Sequence, residues 1–193
     1  REGKVVPLQE VIDKITALAH DTVKQKNPEL SDEQAGEVAR VVGIGALKYN
    51  DLKELRTSDI IFNWKAMLDL SGDSGPYLQY TYARLMSIVR KAGEREQRPA
   101  TETLEHPAER RLMRHLLDFP DVVERSAQLY TTNALALYLY ELASVASAYY
   151  ETVRILDDEN KTRRDARLML IESVAAVLKR GLGLLGISVL ERI

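Results

Sequence analysis

Apolar residues recur at intervals of three and four positions along most of this sequence, which is the period of an amphipathic α-helix. In the first such stretch, residues 8–26, the repeat runs through Val11, Ile15 and Leu18 and ends before Pro28. Glycine and proline are scarce, at 10 and 6 of 193 residues, so few positions interrupt a helix. The sequence therefore predicts a mainly α fold.

Residues that favour helix ends divide the rest of the chain. Ser31 followed by Gln34 forms a capping-box pattern. Asn133 is a favourable cap for the helix after it, and Gly186 is a natural terminator of the last helix. The segment 57–62, TSDIIF, predicts a short strand, and the polar segment 93–103 predicts a surface loop. The predicted helices are residues 8–26, 32–49, 64–70, 77–91, 107–117, 120–129, 134–152 and 163–185.

Charge and residue types narrow the possible functions. The net charge of −2 argues against a strongly basic nucleic-acid binder, yet residues 84–115 carry eight Lys and Arg against five Glu, a local excess of +3. Cysteine is absent, which excludes disulfides and thiolate metal sites and fits a cytoplasmic protein. His20, His106 and His115 are scattered without metal-ligand spacing. We therefore expect neither a metal site nor catalysis from this chain.

Several other patterns favour ordinary structure. No apolar run reaches the roughly 18 residues of a membrane span, and no signal peptide is predicted. Because the sequence opens on Arg1 and not on methionine, we expect a fragment of a longer protein. The acidic turn at residues 157–160 lacks the spacing of a calcium loop, so a solvated turn is expected. Residues 181–186, GLGLLG, lack the ending of a phosphate loop and predict core packing.

Residues 72–85, GDSGPYLQYTYARL, concentrate tyrosines at the start of a predicted helix. On one face Tyr77, Tyr80 and Arg84 stand beside a predicted core stripe. A tyrosine ring can stack on an unpaired base and an arginine can hold phosphate, but the pattern alone favours packing for the two tyrosines. The core stripe consists of Leu78, Tyr82, Leu85 and Val89.

Four stretches of the sequence resemble the carboxy-terminal part of arginyl-tRNA synthetases. REGKVVPLQEVID is similar to the segment after the KMSKS signature, and VGIGALKYNDLKELRTSDIIFNW to the stretch leading out of the catalytic region. DLSGDSGPYLQYTYARLMSI is similar to the family's glycine loop with its PYLQY run, and VLKRGLGLLGISVLERI to its closing segment. LALYLYELASVASAYY is similar to a helix of the DALR anticodon-binding domain. The resemblance spans essentially the whole chain.

The sequence also departs from the family pattern. Asn133 to Ala136 stand where the family has Asp-Ala-Leu-Arg, and Ile193 stands where it often has methionine. The second change weakens the case for an anticodon contact by that residue. The HIGH signature and the nucleotide-binding sheet are absent, and the KMSKS-like loop is clipped at Gly3. We therefore expect the chain to be inactive alone.

The resemblance implies a parent enzyme that joins arginine to tRNA(Arg), using ATP and Mg²⁺, through an arginyl-adenylate. It implies a helical stem-contact region over residues 1–75 and a DALR-type anticodon-binding α-helix bundle over residues 76–193. It implies no cofactor for this chain, a tRNA(Arg) partner with neither DNA nor membrane, a monomer and a cytoplasmic location.

The resemblance also assigns candidate RNA contacts. With the resemblance, RNA contact is favoured over packing for the loop and for Arg84. At Tyr80, RNA contact and packing are equally favoured. Charge alone suggests further phosphate contacts. The candidates from the resemblance are Gly72, Asp73, Ser74, Gly75, Tyr77, Tyr80 and Arg84, and those from charge are Arg90, Lys91, Arg111 and Arg114.

Two alternatives remain open at this point. The chain could be a non-enzymatic helical module that binds a protein through the apolar helix at residues 134–150. It could also be the helical domain of a synthetase for another amino acid. RNA binding through phosphates weakens steeply with salt, whereas an apolar helix interface does not, so salt dependence separates the first alternative from tRNA binding.

Overall fold

The computed structural model describes residues 6–60, 62–93 and 104–193. These ranges contain seven helices and no strand, which confirms the mainly α prediction. Residues 1–5 of the first resembling stretch, Ile61 and residues 94–103 of the predicted loop lie outside them. The helices are α1 Leu8–Lys26, α2 Asp32–Leu52, α3 Trp64–Met67, α4 Gly75–Ala92, α5 Pro107–Gln128, α6 Asn133–Thr152 and α7 Lys161–Leu184.

The strand prediction for residues 57–62 is wrong in the described part of that segment, which is turn and coil. Its described side chains are exposed, and no other strand lies in the described ranges to pair with it. A β-branched run without a partner strand has nowhere to make its ladder of hydrogen bonds, so propensity alone does not fix the strand.

Helices α1 and α2 pack as a pair. The predicted capping box begins α2, where the Ser31 hydroxyl accepts from Gln34 N at 3.2 Å and the Gln34 side chain accepts from Ser31 N at 3.0 Å. The backbones come close at Gly43, where a Cβ atom would lie 3.2 Å from the Ile15 carbonyl oxygen. Small residues on both helices therefore allow the pair to pack closely. Two buried clusters lie along the pair, one of Ile15, Ala46 and the α3 residue Met67, and one of Ala19, Ala39 and Val42.

Helices α4 to α7 form a bundle around α6. Leu139, Leu142 and Tyr149 of α6 are fully buried in the main hydrophobic cluster. The apolar surface of α6 is thus used inside the chain, where it contributes roughly 1.5–3 kcal/mol for each large side chain. A protein partner that binds through this helix would have to replace the bundle core, so the structure argues against that alternative.

The prediction of two helices around Pro120 is wrong, because α5 runs unbroken through it. Proline removes one helical hydrogen bond and crowds the preceding turn. Both halves of α5 nevertheless place apolar side chains on the same core, through Leu112 before the proline and Val123 after it. Tertiary packing on one face offsets the local cost, which a sequence period cannot show.

Three predicted helix starts also need correction. Helix α4 begins at Gly75 and not at residue 77, because the Ser74 side chain accepts from Tyr77 N and caps it. The N-cap of α6 is Thr132 and not Asn133, which is already the first helical residue and accepts a hydrogen bond from the Thr131 hydroxyl. Helix α7 begins at Lys161, because the Asn160 side chain accepts from Arg163 N at 3.1 Å and caps it.

The turn at residues 157–160 is not simply solvated, because the Asp158 side chain is only 3% exposed. Its carboxylate accepts from Arg163 Nε at 2.6 Å and from Arg167 Nη1 at 2.7 Å. Arg167 also donates to the fully buried Glu109 at 2.7 Å. Arg163 holds the pKa of Asp158 below its usual value, chiefly by hydrogen bonding. A buried charge network therefore joins the start of α5, the turn after α6 and helix α7.

The segment after α7 returns to the first helices. Gly186 has φ 69° and ends α7 as predicted, and its carbonyl accepts from Lys48 Nζ at 2.5 Å. The buried Gln79 side chain of α4 donates to the Val41 carbonyl of α2 at 3.2 Å and to the Ser188 carbonyl at 2.8 Å. Gln79 therefore joins three separate parts of the chain. The side chain of Ile193 completes the return by packing on the cluster of Ala19, Ala39 and Val42.

Helix α4 meets α2 through glycine. A Cβ atom at Gly75 would lie 2.6 Å from the Gly45 carbonyl oxygen and 3.0 Å from Tyr49 Cβ. No side chain fits at that distance without backbone movement, so glycine sets how closely the bundle joins the α1–α2 pair. None of the helices in the described ranges combines the length and apolar character needed to cross a bilayer.

We predict that Gly75→Ala lowers the free energy of unfolding by about 1–3 kcal/mol, because the new methyl group collides with α2 backbone. Urea unfolding followed by circular dichroism measures the change. Gly183→Ala is the matched control, since a Cβ there meets nothing within 4 Å. That variant should be neutral or more stable by about 0.5–1 kcal/mol. Equal stability of Gly75→Ala and the wild type would contradict the close approach.

We predict that Asp158→Asn lowers stability at neutral pH by about 2 kcal/mol, the typical worth of hydrogen bonds to a charged group. The lowered folded pKa means that this contribution is present above the unfolded pKa of about 3.9 and is lost as pH falls through the folded pKa. The difference between variant and wild type should therefore shrink below about pH 4. Urea unfolding at a series of pH values measures it. Asp157→Asn, at the exposed neighbour, should show no such difference.

Candidate nucleic-acid interface

The loop before α4 is held by its own short polar side chains. The Asp69 carboxylate accepts from Ser71 N at 2.9 Å and from its hydroxyl at 2.8 Å, and these bonds lower the pKa of Asp69. The Ser74 hydroxyl donates to the Asp69 carbonyl and accepts from Tyr77 N at 3.1 Å, which caps α4. Ser74 and Gly75 are buried, whereas Gly72 is partly exposed. The loop thus has a defined shape that fixes where α4 begins.

Asp73 joins this loop to helix α2. Its carboxylate accepts from the Tyr49 hydroxyl at 2.7 Å and from Lys53 Nζ at 3.1 Å, and its carbonyl accepts from the same Nζ at 2.8 Å. Burial, followed by the hydrogen bond to Asp73, raises the pKa of Tyr49 well above its usual value. The hydroxyl therefore stays protonated and donates to the carboxylate. Asp73 is exposed as a residue, yet Tyr49 of α2 and Lys53, which follows the end of α2, fix its carboxylate.

Tyr77 is half-buried between α4 and α6. Its ring meets the ring of Tyr140 edge-on, with centroids 5.8 Å apart, and its hydroxyl lies 3.2 Å from Ser147 Oγ. The Tyr150 hydroxyl donates to the same Ser147 Oγ at 3.3 Å. Packing between two helices accounts for the position of Tyr77, and leaves one part of its surface open to solvent.

Arg84 lies further along the same edge and is exposed. Its guanidinium carbon stands 4.6 Å from the ring centroid of Tyr150, a cation–π arrangement. Burial raises the pKa of the Tyr150 hydroxyl above its ordinary value. Tyr80 is partly exposed and shares this face of α4 by helical spacing. We call the set Tyr77, Tyr80, Arg84, Tyr140, Ser147 and Tyr150 the tyrosine–arginine surface.

The four candidates chosen by charge do not join this surface as a group. Arg90 lies near the end of α4 and is 3.7 Å from the Glu191 carboxylate, and Lys91 follows it, exposed. Arg111 and Arg114 are exposed on α5, which packs against α6 and α7. The structure therefore separates the charge-based candidates into two places on the bundle.

Three side chains of the tyrosine–arginine surface were missed in the sequence. Tyr140, Ser147 and Tyr150 all come from α6, whose apolar character drew attention to packing alone. Their spacing of seven and three positions places them on one face of the helix, which was a usable signal. What the sequence did not show is that this face meets α4. His106 was also missed as the side chain that caps α5, where its Nδ1 accepts from Ala108 N at 3.2 Å.

Comparison with solved structures finds the same fold in arginyl-tRNA synthetases. Thermus thermophilus arginyl-tRNA synthetase superposes with a TM-score of 0.92 and 36% identity, over 100% of this chain and 33% of that protein. The Plasmodium falciparum enzyme gives a TM-score of 0.84 and 28% identity, over 98% and 34%. The helical arrangement is therefore that of one part of a larger class I synthetase.

Proteins with similar sequences are also arginine–tRNA ligases by name. Arginine–tRNA ligase of Cellvibrio japonicus is 43% identical over 199 aligned residues, which cover 100% of this chain and 34% of that protein. The ligase of Shewanella amazonensis is 40% identical, over 100% and 33%. The chain thus spans about a third of the length of these relatives.

The bundle of α4 to α7 is a helical domain of the anticodon-binding type. The model of the DALR anticodon binding domain matches residues 78–193, and the chain belongs to that family. Residues 1–64 match the catalytic-domain model of class I tRNA synthetases of the R type.

Proposed function

We propose that this chain is the tRNA-binding part of an arginine–tRNA ligase and that the tyrosine–arginine surface contacts the anticodon arm. The observation that carries the proposal is the exposed Arg84 guanidinium, held over Tyr150 beside partly exposed tyrosines. Such a surface offers ring faces for unpaired bases and a cation for phosphate. The match to an anticodon-binding family supports RNA as the ligand.

Gly72, Asp73 and Ser74 of the loop before α4, with Gly75 at the start of that helix, have a positioning role in this proposal. Ser74 caps α4 and Asp73 is fixed to α2, so the first turn of α4 has a set position against α2 and α6. A preformed surface loses little entropy when it binds RNA. The exposed Arg90, Lys91, Arg111 and Arg114 are proposed as secondary phosphate contacts that add affinity without reading sequence.

The activity of the whole enzyme enters as a proposal as well. That enzyme would join arginine to tRNA(Arg) with ATP and Mg²⁺. We assign no residue of this chain to the binding of ATP or of Mg²⁺. We propose that residues 1–75 contact the tRNA stem region and that residues 76–193 form the anticodon-binding domain. We also propose a cytoplasmic, monomeric protein with no role for DNA.

We predict that Arg84→Ala weakens binding of an arginine tRNA transcript and lowers the slope of log affinity against log salt by about 1, because one phosphate contact is lost. Tyr80→Ala should weaken binding by about 1–3 kcal/mol if a base stacks there. Fluorescence anisotropy of labelled transcript at several salt concentrations measures both effects.

Arg180→Ala is the matched control, because Arg180 is an exposed arginine of α7 outside the tyrosine–arginine surface. Circular dichroism confirms that each variant is folded. Binding of tRNA transcripts that carry the anticodons of other amino acids tests the remaining alternative, which is a synthetase for another amino acid. That alternative requires one of these transcripts to bind more tightly than the arginine transcript. Salt-insensitive binding, or equal loss in Arg84→Ala and Arg180→Ala, would contradict the proposed surface.

A further inference from the structure

Tyr130 occupies a backbone position that normally belongs to glycine. It follows α5, and its φ of 51° is the one positive value among the non-glycine residues that the structure describes. Thr131 N donates to the Ser126 carbonyl at 3.0 Å and Tyr130 N to the Ala127 carbonyl at 3.3 Å, which closes the end of the helix. A left-handed residue at this point is most often glycine, since a Cβ atom makes it unfavourable.

Packing does not explain the tyrosine either. The residue is 83% exposed, and within the described ranges its ring makes no contact with another aromatic ring. Its neighbour Leu129, and Leu55 next to Arg56, are each 53% exposed as well. A tyrosine that stabilises neither the backbone nor the core contributes nothing evident to the fold.

The position of Tyr130 relates it to the proposed tRNA interface. Its carbonyl accepts from Arg56 Nη1 at 2.9 Å, and the Thr132 hydroxyl donates to the Leu52 carbonyl at 2.8 Å. Lys53, at the same end of α2, holds Asp73. Lys53 and Arg56 are three positions apart, and three residues of chain span at most about 11 Å. The end of α2 and the residues just after it therefore fix both the loop before α4 and the loop that carries Tyr130.

We propose that Tyr130 is a stacking platform for an unpaired base of the bound tRNA, separate from the tyrosine–arginine surface. Helix α6 begins three positions after Tyr130 and contacts α4 through Tyr140 and, further along, through Tyr150, so the helix that carries one side of the tyrosine–arginine surface starts directly after the loop that carries Tyr130. An exposed ring face suits a base, and the Arg56 guanidinium, bound to the Tyr130 carbonyl, supplies a cation at the same residue. This inference rests on the proposed function and adds a second contact to it.

The test compares Tyr130→Gly, Tyr130→Ala and Tyr130→Phe in the full chain. Glycine removes the ring and relieves the backbone, alanine removes only the ring, and phenylalanine keeps it. We expect both ring-removing variants to lose about 5- to 150-fold in affinity for an arginine tRNA transcript, the range for one stacked base. Tyr130→Phe should bind like the wild type.

Stability should follow a different order. The Tm of Tyr130→Gly should equal or exceed that of the wild type, by up to about 2–4 °C, because glycine tolerates the left-handed conformation. Tyr130→Ala should be no more stable than the wild type. Affinity that falls while stability is kept is the result that a purely structural tyrosine cannot produce.

Several outcomes would overturn the inference. Wild-type affinity in Tyr130→Gly, with a loss in Arg84→Ala, would reject the platform and leave the proposed function intact. Absence of salt-sensitive tRNA binding by the wild type would reject both. A change in self-association of Tyr130→Gly, measured by light scattering, with unchanged tRNA affinity would assign this patch to a protein contact instead.

Discussion

The close approach of α4 to α2 at Gly75 and Gly45 is the constraint on which most other features depend. It allows the backbones of α2 and α4 to approach directly where the α1–α2 pair meets the bundle. The same approach brings Tyr49 and Lys53 within reach of Asp73, and so fixes the loop before α4. A candidate interface built on the first turns of α4 thus takes its position from a backbone contact on the opposite side of that helix.

Helical periods in the sequence were sufficient for the class of fold and for most helices. Helix α1 has the predicted bounds, and the capping box at Ser31 is present. The errors occurred where tertiary contacts outweigh local preference. Pro120 lies inside α5 because both halves of the helix pack on one core, and Asp158 is buried because two arginines of α7 reach it. The core on which α5 packs comes from distant helices. Arg163 and Arg167 lie only five and nine positions after Asp158, but a helical or strand period does not show that their side chains reach back to it.

The candidate site was predictable on one helix only. The spacing of Tyr77, Tyr80 and Arg84 placed them on one face of α4, and the structure keeps them there. Tyr140 and Tyr150 lie more than fifty positions later, and which face of α6 meets α4 depends on how the whole bundle packs. The sequence thus identified residue types suited to RNA, whereas the surface they form is a tertiary property.

The return of the segment after α7 to the first helices has a consequence for how the protein is made. Lys48 and Gly186 are 138 positions apart, and Gln79 and Ser188 are 109 apart. A ribosome therefore completes α1, α2 and α4 long before the Gly186 and Ser188 carbonyls, which accept from Lys48 and Gln79, have been synthesised. Long-range closure of this kind slows folding, and until it occurs a buried amide and apolar helix faces stay open to solvent. The nascent chain consequently passes through a period in which these surfaces are open to chaperones.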